Sequence, residues 1–407
     1  MKKYRKWMKR HGRDVTKVSL AVVVSAGLLL FSLNSLIGGI SDREAQTATA
    51  SQSLSVIAHH PEYLPLKLVH WLFGFAPFTS TAWLRLPNVL FAGLTLLTTT
   101  FIIRRWYGKR MALFGFIIFA SSAWFLHVGR LASFDILYLW AIPTLLASHL
   151  LLYDKPQSKR LFYLWLVAQL ALLYIPGMIW FVIINALWQR EELSEAWRNL
   201  GSTSRRLMWT GLALILLVPL AYGLITSTDI IHDTMQLIGL PASLPAPLDI
   251  LRRAGEGLLF VGIRGNNTPV DLWLGRLPIL DAFMSCMLLA GVYFYSMHWH
   301  ATRTRLIVMY TLLGFILFAL GGAVRLSIIV PVLYLLAAAG LAYLLHLWLT
   351  VFPRNPLARS FGILILSIAI AVSSIYSLRQ YFIAWPHHTE TQTAFKSQPI
   401  PRSHLIQ

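Results

Sequence analysis

The chain has 407 residues, 57% of them hydrophobic and only 16 of them Asp or Glu. A mean hydropathy of +0.62, carried in long continuous apolar runs, places it in a bilayer and excludes a soluble globular reading. The formal charge of +19 invites nucleic-acid binding until it is mapped. The Lys and Arg residues crowd short loops between apolar runs, which is the signature of membrane topology.

The first element follows a basic stretch, Met1 to Arg13. The apolar run Lys17 to Ile40 is longer than the about 7–15 residues of a signal-peptide core, so a retained anchor with a cytoplasmic N-terminus is expected. Continuous rather than alternating hydrophobicity favours helices over a barrel. Eleven spans are predicted, at roughly 17–40, 82–103, 111–128, 136–153, 161–175, 177–188, 207–226, 280–298, 306–323, 326–349 and 361–378. The pair 161–175 and 177–188 rests on the turn signal Ile175-Pro176-Gly177. Reading it as one span would send the compact basic loop 189–206 outside.

The expected fold is therefore an all-α polytopic membrane domain over 1–378, with long outer loops at 41–81 and 227–279. In the first loop, short apolar stretches around Leu54–Ile57 and Leu66–Phe73 are broken by Pro61 and Pro65 and suit helices lying in the interface. The second loop is proline-rich and is expected to pack over the membrane domain. The polar tail 379–407 is expected outside and partly disordered. Cys286 is the single cysteine, so no internal disulfide forms.

In so acid-poor a chain, the carboxylates at membrane boundaries are the candidates for chemistry. Asp42 and Glu44 follow the first span, and Asp135 leaves the third, so all three can meet over one outer cleft. A carboxylate there can take a proton from an acceptor nucleophile if it lies within hydrogen-bond reach. The plainer alternatives are a solvated boundary charge for Asp42 or Glu44, and a helix cap for Asp135. Arg130 puts a cation five residues before Asp135. Cations are disfavoured outside, so Arg325, after Gly321-Gly322, and Arg264, before Asn266, are candidates for holding a phosphate or sugar. Their alternatives are a snorkelling interfacial arginine and a simple turn. Glu62, Tyr63 and Lys67 are placed to line the same cleft. His59-His60 are adjacent and point apart on an interfacial segment, so no metal site is assigned; a divalent cation at the acids is left open.

These landmarks resemble the membrane glycosyltransferases of the GT-C type, above all the bacterial branch with aminoarabinose transferases and protein O-mannosyltransferase-like enzymes. The resemblance rests on Trp83-Leu84-Arg85-Leu86-Pro87, Arg104-Arg105-Trp106-Tyr107-Gly108 and Gly129-Arg130 through Asp135. It continues in Asp42 with Glu44, in Gly275-Arg276-Leu277-Pro278-Ile279-Leu280-Asp281, and in Arg325 followed by Pro331 and Gly340. It implies a bacterial plasma-membrane enzyme with its active site and C-terminus outside the cytoplasm. The donor would be a sugar on a polyprenyl phosphate, passed with inversion to a lipid, protein or glycan acceptor. Asp42 would be the base, with Glu44 as the alternative, and Asp135 would support the acceptor or a cation. Arg325 and Arg264 would meet the donor phosphate. The chain departs from the pattern in that Arg43 splits the acid pair, and the large C-terminal soluble domain of some members has no counterpart. Two other readings remain: a transporter or flippase for a lipid-linked sugar, which would need charge inside the bundle, and an inactive relative that binds donor without turnover.

Overall fold

The computed structural model describes residues 19–75, 80–201, 203–264 and 277–395, without the side chains of Ser204 and Arg205. Among them every regular element is helical. The helices are α1 (Ser19–Leu30), α2 (Asp42–Thr49), α3 (Leu54–His59), α4 (Leu64–Gly74), α5 (Thr81–Ser121), α6 (Ala123–Arg130) and α7 (Asp135–Asp154). They continue with α8 (Lys159–Leu172), α9 (Met178–Trp188), α10 (Arg190–Asn199), α11 (Thr203–Thr226), α12 (Ile230–Leu237) and α13 (Pro247–Gly262). The last are α14 (Ala282–Met297), α15 (Thr302–Leu320), α16 (Val330–Val351), α17 (Pro356–Arg379) and α18 (Thr389–Ala394).

Six of these helices are long and apolar enough to cross a membrane, and α1, α9 and α14 are shorter apolar helices. The most buried are α7 and α16, with 78% and 83% of their apolar windows inside the protein. The outermost are α11 and α17, at 6% and 11%. The bundle is thus built around α7 and α16, while α11 and α17 present leucine and isoleucine to lipid, as a helix hydrophobic on all sides must at a bundle's edge.

Two glycine features set the packing. Gly108 has φ +86 and lies within α5. A Cβ on Gly115 would sit 2.6 Å from Ile103 Cδ1, whereas twelve residues of continuous helix would be about 18 Å apart. The chain therefore doubles back at Gly108, and the two spans expected over 82–128 are the arms of this element. The second arm breaks again at Ser122, which caps α6 by accepting from Phe125 N–H at 3.3 Å. Between α14 and α16, a Cβ on Gly291 would lie 1.9 Å from Leu336 O, and one on Gly340 would lie 2.0 Å from Met287 O. Backbones meet here, which is how helices associate where no hydrophobic force separates them from lipid.

The 161–188 segment is a hairpin. Gly177 turns it at φ +80, and the helices are stitched by side chains that the hydrocarbon would not solvate. Trp165 Nε1 donates to Gln189 Oε1 at 2.9 Å, Gln189 Nε2 to His149 O at 2.9 Å, and Gln169 Nε2 to Ser148 Oγ at 3.0 Å.

Two expectations need correction. The first apolar run is helical only to Leu30, and residues 31–40 are turns with Ser32 at φ +51. The freed carbonyls are met by buried arginines: Arg85 donates to Leu33 O and Gly39 O, both at 2.9 Å, and Arg130 donates to Phe31 O. Asp135 does not cap α7; Phe134 holds the cap position, and Asp135 lies in the first turn, where the helix dipole still favours its charge. Beyond α17 the described part of the tail, through Phe395, holds a π-turn at Gln380–Ala384 and α18, with Tyr381, Trp385 and Phe395 buried. Their aromatic surface outweighs the polar composition.

Candidate functional site

The first-loop helix α2 starts with a capping box. Ser41 Oγ accepts from Glu44 N–H at 3.3 Å, and Glu44 Oε2 accepts from Ser41 N–H at 3.1 Å. This geometry sends the two acids opposite ways: Asp42 is exposed, whereas Glu44 is fully buried. Arg85, three-hundredths exposed, clamps Glu44 through Nε to Oε1 at 2.8 Å and Nη2 to Oε2 at 3.0 Å. Ala132 N–H donates to Glu44 Oε1 at 3.0 Å. Four donors thus converge on one carboxylate, and Glu44 ties α2 to the segment that leads into Asp135.

That segment is held from a second side. Asn88 Nδ2 donates to Ser133 O at 2.7 Å, and its Oδ1 lies 3.0 Å from His70 Nε2. Since the Asn88 amide nitrogen is already directed at a carbonyl, its oxygen accepts and His70 donates. Burial pushes His70 down to about 4, against the opposing pull of the Asn88 bond and the Glu44 charge, so the ring is neutral in ordinary buffers.

Asp135, with its side chain 5% exposed, meets two cations. Arg43 Nη1 donates to Oδ2 at 3.3 Å, and Arg325 Nε stands 3.9 Å from Oδ1. Arg325 remains 53% exposed, so its guanidinium can still reach an anion from outside. Around them is an aromatic wall. Tyr63 stacks on Phe134 with centroids 4.6 Å apart, and its hydroxyl lies 3.2 Å from that of Tyr138. Tyr138 in turn donates to Ala323 O at 3.0 Å, two residues before Arg325. Tyr63 takes φ +61, unusual for a bulky side chain, and its N–H donates to Tyr174 O at 2.7 Å. Burial pushes its phenol up to about 12, with the Tyr138 bond opposing, so it stays protonated and donates to Tyr138, whose own proton goes to Ala323 O.

Lys67 is buried. Its ammonium donates to His60 O at 2.6 Å and Glu62 Oε1 at 3.0 Å and lies 5.6 Å from the Phe134 ring centroid. Burial lowers its pKa, with Glu62 opposing. Lys67 and Glu62 therefore brace the turn that presents Tyr63.

The structure brings Asp135, Arg325 and Tyr63 together, with Lys67 and Glu62 behind. Arg130 goes elsewhere: it is 1% exposed and its guanidinium lies 5.2 Å from the Tyr381 ring centroid and 4.9 Å from that of Phe382. It pins the π-turn onto α6. Arg264 stands exposed just past α13, and Asn266 lies outside the described residues. Among the described residues no three His, Cys, Asp or Glu side chains gather as a metal site. Sequence reasoning passed over Arg43 as an interruption of the acid pair, and over Arg85 as a landmark. An ionisable residue inside an apolar run, as Arg85 is, was the signal that could have found its partner. Tyr138 and Tyr174 carried no signal of their own.

No family model matches the chain, and a search of curated proteins also finds no match. Solved structures do. ArnT from Cupriavidus metallidurans in the apo state superposes with a TM-score of 0.50 at 15% identity, covering 94% of this chain and 77% of that one. The same protein bound to undecaprenyl phosphate gives a TM-score of 0.47, with the same identity and coverage. At this identity the likeness is one of fold: the chain, helical throughout its described elements, shares the architecture of ArnT.

Proposed function

We propose that the chain is a glycosyltransferase that moves a sugar from a polyprenyl-phosphate donor to a nucleophilic acceptor at the outer face of the membrane. The observation that carries this reading is the meeting of Asp135 with Arg43 and Arg325 beside the Tyr63–Tyr138 pair, next to the helix that exposes Asp42. The GT-C-like fold supports it, since the first-loop helices and the start of α7 form one cluster.

In this reading Asp42 takes the proton of an acceptor hydroxyl or amine as its lone pair forms a bond to the anomeric carbon. The bond from that carbon to the donor phosphate oxygen breaks, and the electron pair leaves with the polyprenyl phosphate, so the configuration inverts. Arg325, the exposed cation, stabilises the phosphate charge that develops. The Tyr63 hydroxyl donates to Tyr138, which donates to Ala323 O, so the pair buttresses the backbone that leads to Arg325. Asp135 holds Arg43 and Arg325 in register and orients the acceptor. Glu44 has no such duty: with four donors on its carboxylate, it positions the loop that carries Asp42. Arg264 remains a candidate for the donor phosphate.

The test is transfer in proteoliposomes from extracted polyprenyl-phosphate sugars, comparing wild type with Asp42→Asn and Asp135→Asn. Loss of turnover with donor binding retained supports the assignment. Normal turnover in Asp42→Asn removes Asp42 as base. A wild type that binds donor tightly but never turns over, across a broad acceptor panel, makes this a binding subunit instead.

A further inference from the structure

Val324, the residue before the exposed Arg325, is itself 3% exposed. Its side chain sits against two glycines from different loops. Gly177 turns the α8–α9 hairpin and Gly239 follows α12, and both have φ +80. A Cβ on Gly239 would lie 2.8 Å from Val324 Cγ2 and 2.6 Å from Gly177 Cα, and one on Gly177 would run into the same Val324 methyl group. Glycine is required at both positions, by the left-handed backbone and by the space.

This socket is held by bonds of its own. Gly239 ends α12 in a Schellman turn, with its N–H donating to Gln236 O at 3.0 Å and that of Leu240 to Met235 O at 2.9 Å. Gly177 N–H donates to Leu237 O at 2.9 Å, and Trp180 Nε1 donates to Ile238 O at 2.9 Å. The hairpin turn and the second outer loop are thus fastened to each other, and Val324 seats against both. Arg325 has extended backbone, at φ −99 and ψ 152. Neighbouring side chains on an extended chain point to opposite sides, so seating Val324 inward sends the Arg325 guanidinium outward, past Asp135. The 3.9 Å between Arg325 Nε and Asp135 Oδ1 is too long for a hydrogen bond that would fix its direction.

We infer that Val324 is a positioning residue for the donor phosphate: by filling the Gly177–Gly239 socket it aims Arg325. This rests on the reading of Arg325 as the cation that meets that phosphate. Through Gly239 the second outer loop, remote from Asp135 in sequence, takes part in the aiming.

The test compares full-length wild type, Val324→Ala, Gly177→Ala and the double variant in nanodiscs, with undecaprenyl phosphate as the probe. Val324→Ala empties the socket, and Gly177→Ala puts a methyl group where Val324 belongs. In the double variant that methyl group takes the space given up. Each single variant should raise the Kd for undecaprenyl phosphate about tenfold, the worth of one misdirected charge-assisted hydrogen bond, and the double variant should recover most of it. Alanine at the left-handed position 177 is strained in single and double variant alike, so melting should stay below wild type in both. Recovery of binding without recovery of melting separates aiming from general stability. A nitroxide at residue 325, attached to Arg325→Cys in a Cys286→Ser background, reads the geometry with no ligand present. Its spectrum should change with each single variant and return in the double. If Gly177→Ala does not fold, Val324→Thr, which keeps the branched shape, becomes the variant that should bind like wild type. Spectra unchanged in the single variants, or binding that falls further in the rescue variant, overturn the inference. Spectra that change and return beside a wild type that binds no polyprenyl phosphate overturn the donor reading of Arg325 and leave the socket standing.

Discussion

Replacing Glu44 by Gln tests whether the first-loop acid is a brace. The wild-type carboxylate receives Arg85 through two nitrogens, and the N–H groups of Ser41 and Ala132. A Gln offers one oxygen for these four donors and turns an NH₂ toward the others. Arg85, 3% exposed, keeps only the carbonyls of Leu33 and Gly39. Breaking a buried pair on one side costs about 3–5 kcal/mol. Arg85→Gln should cost a similar amount, because it strands the carboxylate. The double variant leaves two neutral amides that can bond each other, so its loss should fall short of the sum by about 3 kcal/mol. Unfolding of the purified protein by SDS titration in mixed micelles, followed by circular dichroism, measures all four corners of the cycle. Single variants that each lose under about 1 kcal/mol, or that add without coupling, would refute the clamp.

Other consequences can be checked separately. His70 is held near 4 when folded against an ordinary 6.5; above pH 6.5 it is neutral in both states and contributes nothing to the pH dependence. Between 6.5 and about 4 the unfolded chain takes up the proton and the folded one does not. Stability should therefore fall with pH by up to about 3 kcal/mol, and His70→Gln should flatten that slope in thermal scans. Gly291→Val pushes a branched side chain into a backbone contact where a Cβ alone would lie 1.9 Å from Leu336 O. It should cost at least about 3 kcal/mol or prevent folding, with Gly340→Val behaving alike. Tyr63→Phe breaks the Tyr63–Tyr138–Ala323 chain that leads to Arg325 and keeps the stack on Phe134; a drop of about tenfold in turnover with unchanged melting would support a positioning role for that hydroxyl.

Much of the architecture was readable because bilayers allow few choices. Apolar run lengths, Pro176-Gly177 and the clustering of Lys and Arg speak directly of spans and turns. The candidate site was legible in its members but not in their duties. Asp42 and Glu44 are two residues apart and looked equivalent; the capping box, a three-dimensional arrangement, exposes one and buries the other. Arg43 interrupted the expected acid pair and proved to be the cation on Asp135. Arg130 looked like a site residue through its closeness to Asp135 in sequence, but helix α6 turns it toward Tyr381 and Phe382. The short helical turns of residues 380–395 left no mark in the sequence, because a few aromatic anchors in a polar tail do not register in average composition.

The α8–α9 hairpin has a bearing on the membrane itself. At 14 and 11 residues, these helices are about 21 and about 16 Å long, against a hydrocarbon core of about 30 Å. Their outward faces, with Leu164, Val167, Ile183 and Leu187, are apolar, so lipid must lie against them. Thinning of the bilayer on this flank is one response that such a short apolar hairpin calls for. Its turn is also what holds Tyr63, through the carbonyl of Tyr174, and lies against Val324, the neighbour of Arg325. On the proposed function, membrane thickness thereby becomes a variable of the transfer: a thicker bilayer moves the plane of lipid phosphates away from these two groups, and a thinner one brings it to them.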